Sequence, residues 1–191
     1  MPYNVGSKDV ETEQEINKSR FISYLFRHED AGACKEDIAN LRRKHPKAAH
    51  VAYAYYLGKQ EAPVCVSSDD GEPKGTAGRP ILEAILEKNA HNLLIAVVRY
   101  FGGIKLGSGG LTRAYHSSAV NALALAGLRP DIEYKRLTVR ADYENFEKLK
   151  RYCVENNYKI INEVFTEDVS LELEHEADIG PDFPYGLIKL E

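Results

Sequence analysis

The sequence has few of the features that mark secreted, membrane-spanning or disulfide-stabilised proteins. Its 191 residues include three cysteines, which are far apart and form no CxxC pair, so a disulfide framework or a zinc knuckle is disfavoured. The longest apolar runs, such as residues 93–98, are much shorter than the roughly 20 residues of a spanning helix. No basic segment followed by an apolar one opens the sequence, so no secretory signal is predicted. These absences predict a cytoplasmic protein with reduced thiols and no membrane association.

The familiar catalytic and nucleotide-binding motifs are also absent. No GxxxxGK[ST] segment occurs, and the pattern GxGxxG starting at Gly107 fails because Thr112 occupies the last position. Neither HExxH nor GxSxG is found, so the sequence indicates no paired metal ligands and no activated serine. We therefore predict no catalytic residue, no metal ligand and no cofactor.

Charge is unevenly distributed along the chain. Residues 1–130 contain 17 Lys and Arg against 14 Asp and Glu, whereas residues 131–191 contain 8 against 15. The net charge of −4 therefore combines a mildly basic first part with an acidic second part. This asymmetry predicts two domains with different surfaces, 1–130 and 131–191.

The hydrophobic pattern predicts an α+β protein. In the first part we expect a strand at Glu15–Phe26, a helix at Ala31–Lys44 capped by Asp30, a strand at His50–Leu57, a long polar loop at Gly58–Arg79, a helix from Pro80 to about Lys88, a strand at Asn92–Phe101 buried on both faces, and a helix at Leu111–Ala126. In the second part we expect a strand at Tyr134–Ala141, a helix at Tyr143–Asn156, strands at Tyr158–Phe165 and Asp168–Glu174 joined by a hairpin turn at Glu167-Asp168, and a short strand candidate at Leu187–Leu190. The β-α-β-β order corresponds to the first two-thirds of a ferredoxin-like module.

Two glycine-rich segments are candidates for binding. Gly102–Gly110 connects the buried strand to the alanine-rich helix, where backbone N–H groups and the helix N-terminus can receive an anion. The alternative is a tight connection that packs this helix against the strand. Ser67–Arg79 places Asp69, Asp70 and Glu72 among three glycines, and a binding loop, a Mg²⁺ or acid–base site and a plain solvated loop all stay open.

Four blocks in order resemble the IMPACT/YigZ family in its bacterial two-domain form. They are Lys18–Ile22 (KSRFI), Lys44–His50 (KHPKAAH), Ser68–Ile81 (SDDGEPKGTAGRPI) and Arg99–Tyr115 (RYFGGIKLGSGGLTRAY). The resemblance implies an N-terminal domain with the fold of ribosomal protein S5 domain 2, akin to domain IV of elongation factor G. It also implies a ferredoxin-like C-terminal domain resembling domain V of that factor. After Glu174 the second helix and last strand of that module are hard to find, so its completeness stays open.

The resemblance implies a function linked to translation. Eukaryotic relatives are associated with translational control through an additional N-terminal domain that this sequence does not include. For the bacterial type it implies a protein that binds RNA or the ribosome, with no established reaction. A regulatory protein partner, bound through the acidic second domain, is a further hypothesis. An alternative from the same fold superfamily is a nucleotide or small-molecule phosphate-binding enzyme, with Asp69 or Asp70 holding a metal.

In the leading interpretation the glycine-rich segments and nearby cations form a basic cleft for RNA phosphates. Tyr100 and Phe101 are candidates to stack on a base, with Phe101 expected rather in the core. The predicted binding residues are Arg20, His50, Asp69, Asp70, Glu72, Lys74, Arg79, Arg99, Tyr100, Gly102, Gly103, Lys105, Gly107, Gly109, Gly110 and Arg113.

Overall fold

The chain divides into two units, Met1–Asp131 and Ile132–Glu191. The computed structural model describes residues 3–5, 9–58, 62–132, 134–177 and 183–184. In chain order the described elements are β1 (Tyr3–Val5), β2 (Val10–Ile16), β3 (Ser19–Arg27), α1 (Ala31–Lys44), β4 (His50–Leu57), β5 (Val64–Ser68), α2 (Gly78–Glu87), β6 (Ala90–His91), β7 (Leu93–Tyr100), α3 (Gly107–Ala126), β8 (Leu128–Pro130), β9 (Tyr134–Ala141), α4 (Tyr143–Glu155), β10 (Lys159–Phe165) and β11 (Val169–Glu176). The predicted α+β class with two domains is confirmed.

The core of the first unit is an antiparallel sheet in the order β2-β3-β7-β4-β5. Its central strand is β7, in which every residue from Leu93 to Arg99 is buried, as its unbroken apolar sequence predicts. Helices α2 and α3 pack on one face of the sheet, while α1 packs over β4 and β7 on the other. Small buried residues such as Ala114, Ala119 and Ala122 face the sheet from α3. The sheet is therefore covered on both faces at its centre.

Two sequence predictions for this unit are wrong because turns and pairing partners were missed. The single strand expected at Glu15–Phe26 is a hairpin, in which Asn17 and Lys18 adopt φ angles of 48° and 64° between β2 and β3. Two consecutive residues in the left-handed region form the tight turn that matches strand twist. The polar segment Gly58–Arg79, expected as a loop, contains β5, which pairs with β4. The small sheet β6-β1-β8 was not predicted at all.

Helix ends follow local capping where the sequence offers it. Helix α1 has the predicted bounds, and the Asp30 carboxylate accepts hydrogen bonds from the N–H groups of Gly32 (2.6 Å) and Ala33 (3.3 Å). Helix α3 begins at Gly107, four residues before the predicted start at Leu111. The glycine-rich connection is therefore shorter than expected, and part of it forms the first helical turn. None of the described helices has the length and apolar character needed to cross a membrane.

The second unit has the predicted β-α-β-β order. Its antiparallel sheet runs β10-β11-β9, and α4 packs Leu149 and Cys153 against buried residues of β9 and β11. This strand order is that of the first two-thirds of a ferredoxin-like module. The turn between β10 and β11 closes with a hydrogen bond from the Thr166 N–H to the Asp168 carbonyl (2.9 Å), which confirms the predicted hairpin. The strand candidate at Leu187–Leu190 lies outside the described residues.

The end of β7 passes very close to the β2–β3 turn. A Cβ added at Gly102 would lie 2.0 Å from both the carbonyl carbon and the oxygen of Lys18, so only glycine fits there. We expect Gly102→Ala to lower the free energy of unfolding by about 3 kcal/mol or more, because backbone atoms must move apart. Urea unfolding followed by circular dichroism measures this loss. Ser108→Ala, an exposed change nearby, should alter stability by less than about 0.5 kcal/mol; similar losses for both variants would contradict the close contact.

Candidate functional site

The structure places most of the predicted binding residues in two groups and leaves Arg20, Lys74, Arg79 and Tyr100 outside both. One group forms a polar network beneath the loop Ser68–Gly78, with Glu72 and Arg99 at its centre. The other lies on the surface where β7 leads into α3, and it includes Lys105, Arg113 and the glycines of the helix start. The residues predicted to share one cleft therefore serve two different environments.

Glu72 is the centre of the buried network. Its Oε1 accepts hydrogen bonds from Arg99 Nη1 (2.6 Å) and from the Tyr115 hydroxyl (2.7 Å). The Glu72 and Arg99 side chains are 3% and 7% exposed. Burial, together with the neighbouring Glu72 charge, raises the pKa of Tyr115, so this hydroxyl stays protonated and donates. These two hydrogen bonds thus join the loop, β7 and α3 inside the protein.

Ser19 extends this network to the start of β3. Its Oγ accepts hydrogen bonds from Arg99 Nη2 (3.4 Å) and from the Gly102 N–H (3.2 Å). Arg99 was expected to face a ligand in the cleft, but the structure places its guanidinium inside against Glu72 and Ser19. The Gly102 amide is likewise bonded within the protein. Neither Ser19 nor Tyr115 was predicted as a partner, because each is distant in sequence from the residues it contacts.

The other two carboxylates of the loop, Asp69 and Asp70, also accept hydrogen bonds from donors within the protein. Asp69 accepts hydrogen bonds from the N–H groups of Gly75 (2.7 Å), Ala77 (3.0 Å) and Gly78 (2.9 Å), and thereby caps α2 from nine residues away. Burial alone would raise the pKa of Asp69, but these three amide donors outweigh it, so the pKa lies below its ordinary value of 3.8. Asp69 therefore holds the loop in shape as a carboxylate.

Asp70 links the loop to α1 and β4. Its oxygens accept from Arg42 Nη2 (2.5 Å) and the Val51 N–H (2.6 Å). Its carbonyl accepts from His50 Nδ1 (2.8 Å), which leaves His50 Nε2 directed at Glu72 Oε1, 3.8 Å away. The oxygens that a Mg²⁺ site would require are thus engaged with protein donors. In the described ranges no three His, Cys, Asp or Glu side chains gather in a way that would hold a metal ion.

Arg20 and Tyr100 lie on the α1 side of the sheet. Arg20 makes a two-point ion pair with Glu13 (2.6 and 2.8 Å), and its guanidinium carbon lies 5.5 Å from the centre of the Tyr100 ring. The Tyr100 hydroxyl is 2.9 Å from Nδ1 of His45, a residue that was not among the predicted site residues. Burial, and then the charge of Lys44, lower the pKa of His45. Tyr100 is therefore held by neighbours, although it is only partly buried.

The surface group surrounds the first turn of α3. Leu106 precedes the helix, and no side chain caps it. Gly103 and Gly107 have φ angles of 83° and 70°, values that favour glycine, so the turn requires both of them. Gly109 and Gly110 follow in the first turn, which carries no side chain larger than that of Ser108 before Leu111. The first turn of α3 thus has no capping side chain and carries only small side chains before Leu111.

Arg113 lies over this same turn. Its Nη1 is 3.4 Å from the position that a Cβ would take at Gly109. With Leu106, Gly110 and Ser117 it lines a cleft of about 330 Å³, and Asn17 of the β2–β3 turn is also among the lining residues. Asn17 and Ser117 were not predicted, because the hairpin turn that brings Asn17 here was read as continuous strand. Arg113 is thus the one cation among the described residues that line this small cleft.

Four residues that the sequence analysis named lie on the nearby surface or apart from it. Phe101 is 53% exposed, so the expectation that it belongs to the core is wrong. Lys105 is exposed in the segment between Phe101 and α3. Lys74 is exposed in the loop, and Arg79 pairs with Glu83 along α2 (2.8 Å), so neither is among the residues that line the Arg113 cleft.

Comparison with known proteins places these features in a family. The model of the Impact N-terminal domain matches residues 17–123, and that of a domain of unknown function (DUF1949) matches residues 139–179. The chain belongs to the IMPACT family. Every residue predicted for the binding site falls within the Impact N-terminal match. The two matches lie on opposite sides of the Asp131–Ile132 junction.

Curated relatives and a solved structure extend this finding over most of the chain. An IMPACT family member from Haemophilus influenzae is 36% identical over 90% of this chain and 84% of its own length. The family member YigZ from Escherichia coli is 33% identical over 83% of this chain and 78% of its own. A solved structure described as a hypothetical protein aligns with a TM-score of 0.64 and 32% identity, covering 89% of this chain and 83% of that one. The IMPACT family assignment therefore includes both units.

The buried ion pair yields a stability prediction. Glu72→Gln removes the charge that compensates Arg99 in the interior, so the free energy of unfolding should fall by about 3–5 kcal/mol. Urea unfolding measures the change. The exposed ion pair between Arg79 and Glu83 offers a matched control. Glu83→Gln should lower the free energy of unfolding by less than about 1 kcal/mol. Equal effects of the two substitutions would show that the buried pair is not special.

Asp69 yields a pH-dependent prediction. A carboxyl with a lowered pKa in the folded state contributes stability above its unfolded value of 3.8, and this contribution is lost as pH falls through the folded pKa. We expect Asp69→Ala to cost about 1–2 kcal/mol near neutral pH and less in acid at about pH 3. Chemical unfolding at both pH values tests this. As a control, Glu36→Ala on the exposed face of α1 should change the free energy of unfolding little at either pH. A loss of stability from Asp69→Ala that is larger at pH 3 than near neutral pH would contradict the lowered pKa of Asp69.

Proposed function

We propose that this IMPACT family member is a translation-linked regulatory protein that binds RNA through the basic surface at the β7–α3 junction. The observation that carries the proposal is the position of Arg113 over the first turn of α3, which no side chain caps, beside a small cleft. Helix N-terminal amides and an arginine are matched donors for phosphate oxygens. RNA supplies such oxygens in a regular row.

The charge of the surrounding chain supports an anionic partner. Between Glu87 and Asp131 the sequence contains no Asp or Glu, while it contains Lys88, Arg99, Lys105, Arg113 and Arg129. Arg99 is neutralised inside by Glu72, whereas Lys105 and Arg113 have no ion-pair partner within the ranges that the structure describes. The predicted acidic residues of the site, Asp69, Asp70 and Glu72, are engaged with donors of the fold and so oppose a phosphate less than free carboxylates would.

An exposed aromatic ring supports a single-stranded partner. Phe101 lies between the end of β7 and Lys105 with about half of its surface open to solvent. Unpaired bases stack on such rings with little sequence preference, while cations and amides hold the backbone. The link to translation rests on the family resemblance, since eukaryotic relatives are associated with translational control. The proposed role is therefore binding with low sequence specificity, without a catalysed reaction.

The proposal predicts a salt-dependent affinity that depends on two cations. Lys105→Ala with Arg113→Ala should weaken binding of a fluorescein-labelled oligouridine and lower the slope of log affinity against log salt by about 1.4, as expected for two lost single-strand phosphate contacts. Fluorescence anisotropy at several salt concentrations measures both quantities.

The matched control removes the same charge elsewhere. Lys35→Ala with Lys88→Ala changes two exposed lysines on α1 and after α2, and it should leave the affinity and slope nearly unchanged. Thermal unfolding of all proteins checks that each variant is folded. Unchanged RNA affinity in the Lys105→Ala/Arg113→Ala variant, or an equal loss in the control, would overturn the proposal.

A further inference from the structure

A second cavity lies on the opposite face of the central sheet from α2 and α3. Helix α1 packs over β4 and β7, and a groove of about 430 Å³ remains between α1 and the β2–β3 hairpin. Its volume is that of a typical ligand pocket. The family-based hypothesis about the glycine-rich segments does not involve this groove.

The floor of the groove is aromatic and aliphatic. The rings of Tyr24 and Phe26, two residues apart on β3, stack with centroids 6.2 Å apart and an interplanar angle of 7°. Leu41 of α1 completes the floor. Tyr24 and Leu41 are buried, while Phe26 is only partly covered. The floor thus offers apolar surface mainly through the Phe26 ring, with Tyr24 and Leu41 packed around it.

The rim of the groove is acidic. It carries Asp9, which directly precedes β2, Glu11 from β2 and Asp37 from α1. Glu11 is 3.3 Å from Lys44 Nζ, and Asp37 Oδ2 is 2.6 Å from His28 Nε2. Asp9 is exposed and has no partner in the part of the chain that the structure describes. Two of the three rim carboxylates are thus paired, with Lys44 and with His28, and Asp9 is the unpaired negative group among the described residues of the rim.

The groove already accommodates an ammonium group of its own chain. Lys44 Nζ lies 4.6 Å from the centre of the Tyr24 ring and 3.1 Å from its hydroxyl. This arrangement is a cation–π contact beside a carboxylate. A second cation entering the slot would meet the same ring stack and the unpaired Asp9. The same negative rim repels nucleic acid.

We propose that this groove binds a segment of a partner protein that places an arginine or lysine next to an apolar side chain. The apolar side chain packs on Phe26 and Leu41, and the cation lies between the rim carboxylates. Charge complementarity selects this occupant over an acidic or uncharged segment. The proposal is independent of RNA binding, since the two sites lie on opposite faces of the sheet and have opposite charge.

The test uses a minimal probe on the full chain. N-acetyl-leucyl-arginine amide is titrated into ¹⁵N-labelled protein at millimolar concentrations, with N-acetyl-leucyl-glutamate amide as the matched acidic probe. The arginine probe should shift the amide signals of residues 9–11, 24–26 and 37–41 in a saturable manner, and the glutamate probe should not. No shifts, shifts confined to other residues, or equal binding of the acidic probe would overturn the proposal.

Variants of the rim and of the slot sharpen this test. Asp9→Asn should weaken binding of the arginine probe about threefold, the range of one exposed charge contact, while Glu15→Gln near the far end of β2 should not. Asn40→Trp, which fills the slot from α1, should abolish binding, whereas Lys35→Trp on the exposed surface of α1 should leave it intact. Well-dispersed spectra confirm that these variants fold. If benzylammonium binds as tightly as the dipeptide probe, the groove is a site for small organic cations and the protein-partner assignment is overturned.

Discussion

The buried contact between Glu72 and Arg99 is the interaction on which the arrangement of the first unit depends. A carboxylate and a guanidinium are both removed from water here, and each is tolerable only because the other is present. Tyr115 and Ser19 satisfy further hydrogen-bonding groups of the pair. Four separate parts of the chain are thereby fixed to one another: the loop before α2, the central strand β7, helix α3 and the start of β3.

This internal pairing also determines which charges reach the surface. The loop Ser68–Gly78 is rich in acidic residues, yet its carboxylates point at amides, Arg42 and Arg99. The segment from β7 into α3 has no acidic residue, and its cations beyond Arg99 lie outside. In the folded protein the acidic side chains of the loop are thus neutralised by internal contacts, whereas the cations after Arg99 lie on the surface. The groove between α1 and the β2–β3 hairpin has the opposite sign, so one small domain presents two chemically distinct faces.

Local signals in the sequence predicted much of the fold. The alternation of β4, the unbroken apolar run of β7 and the Asp30 cap of α1 depend on residues close together in the chain, and these elements have the expected bounds within a residue or two. The missed features depend on distant partners. Strand β5 becomes a strand only by pairing with β4, and the cap of α2 comes from Asp69, whose distance from the helix hides it from any local rule. The Asn17-Lys18 turn lacks the glycine that usually marks such hairpins, which explains why the hairpin was read as one strand.

The candidate site shows the same limit. The residues that the family resemblance emphasised fall in different environments, and charge alone could not tell that Arg99 faces inward and that Phe101 is half exposed. Arg99 faces inward because its buried partner is Glu72, which lies 27 positions away from Arg99 in sequence. The inside–outside alternation of side chains along β7 does not predict the burial of Phe101, because β7 ends at Tyr100 and the backbone leaves the sheet there.

The Tyr115 hydroxyl bond has a mechanical consequence for the exposed end of α3. Tyr115 is eight residues from Gly107, about 12 Å along the helix axis. Its ring is wholly enclosed and its oxygen is held by a buried acceptor, so the helix can neither slide along its axis nor rotate without breaking that bond. The glycine-rich first turn of α3 is therefore held in a fixed position relative to the sheet. A ligand at this turn would bind to a preorganised backbone.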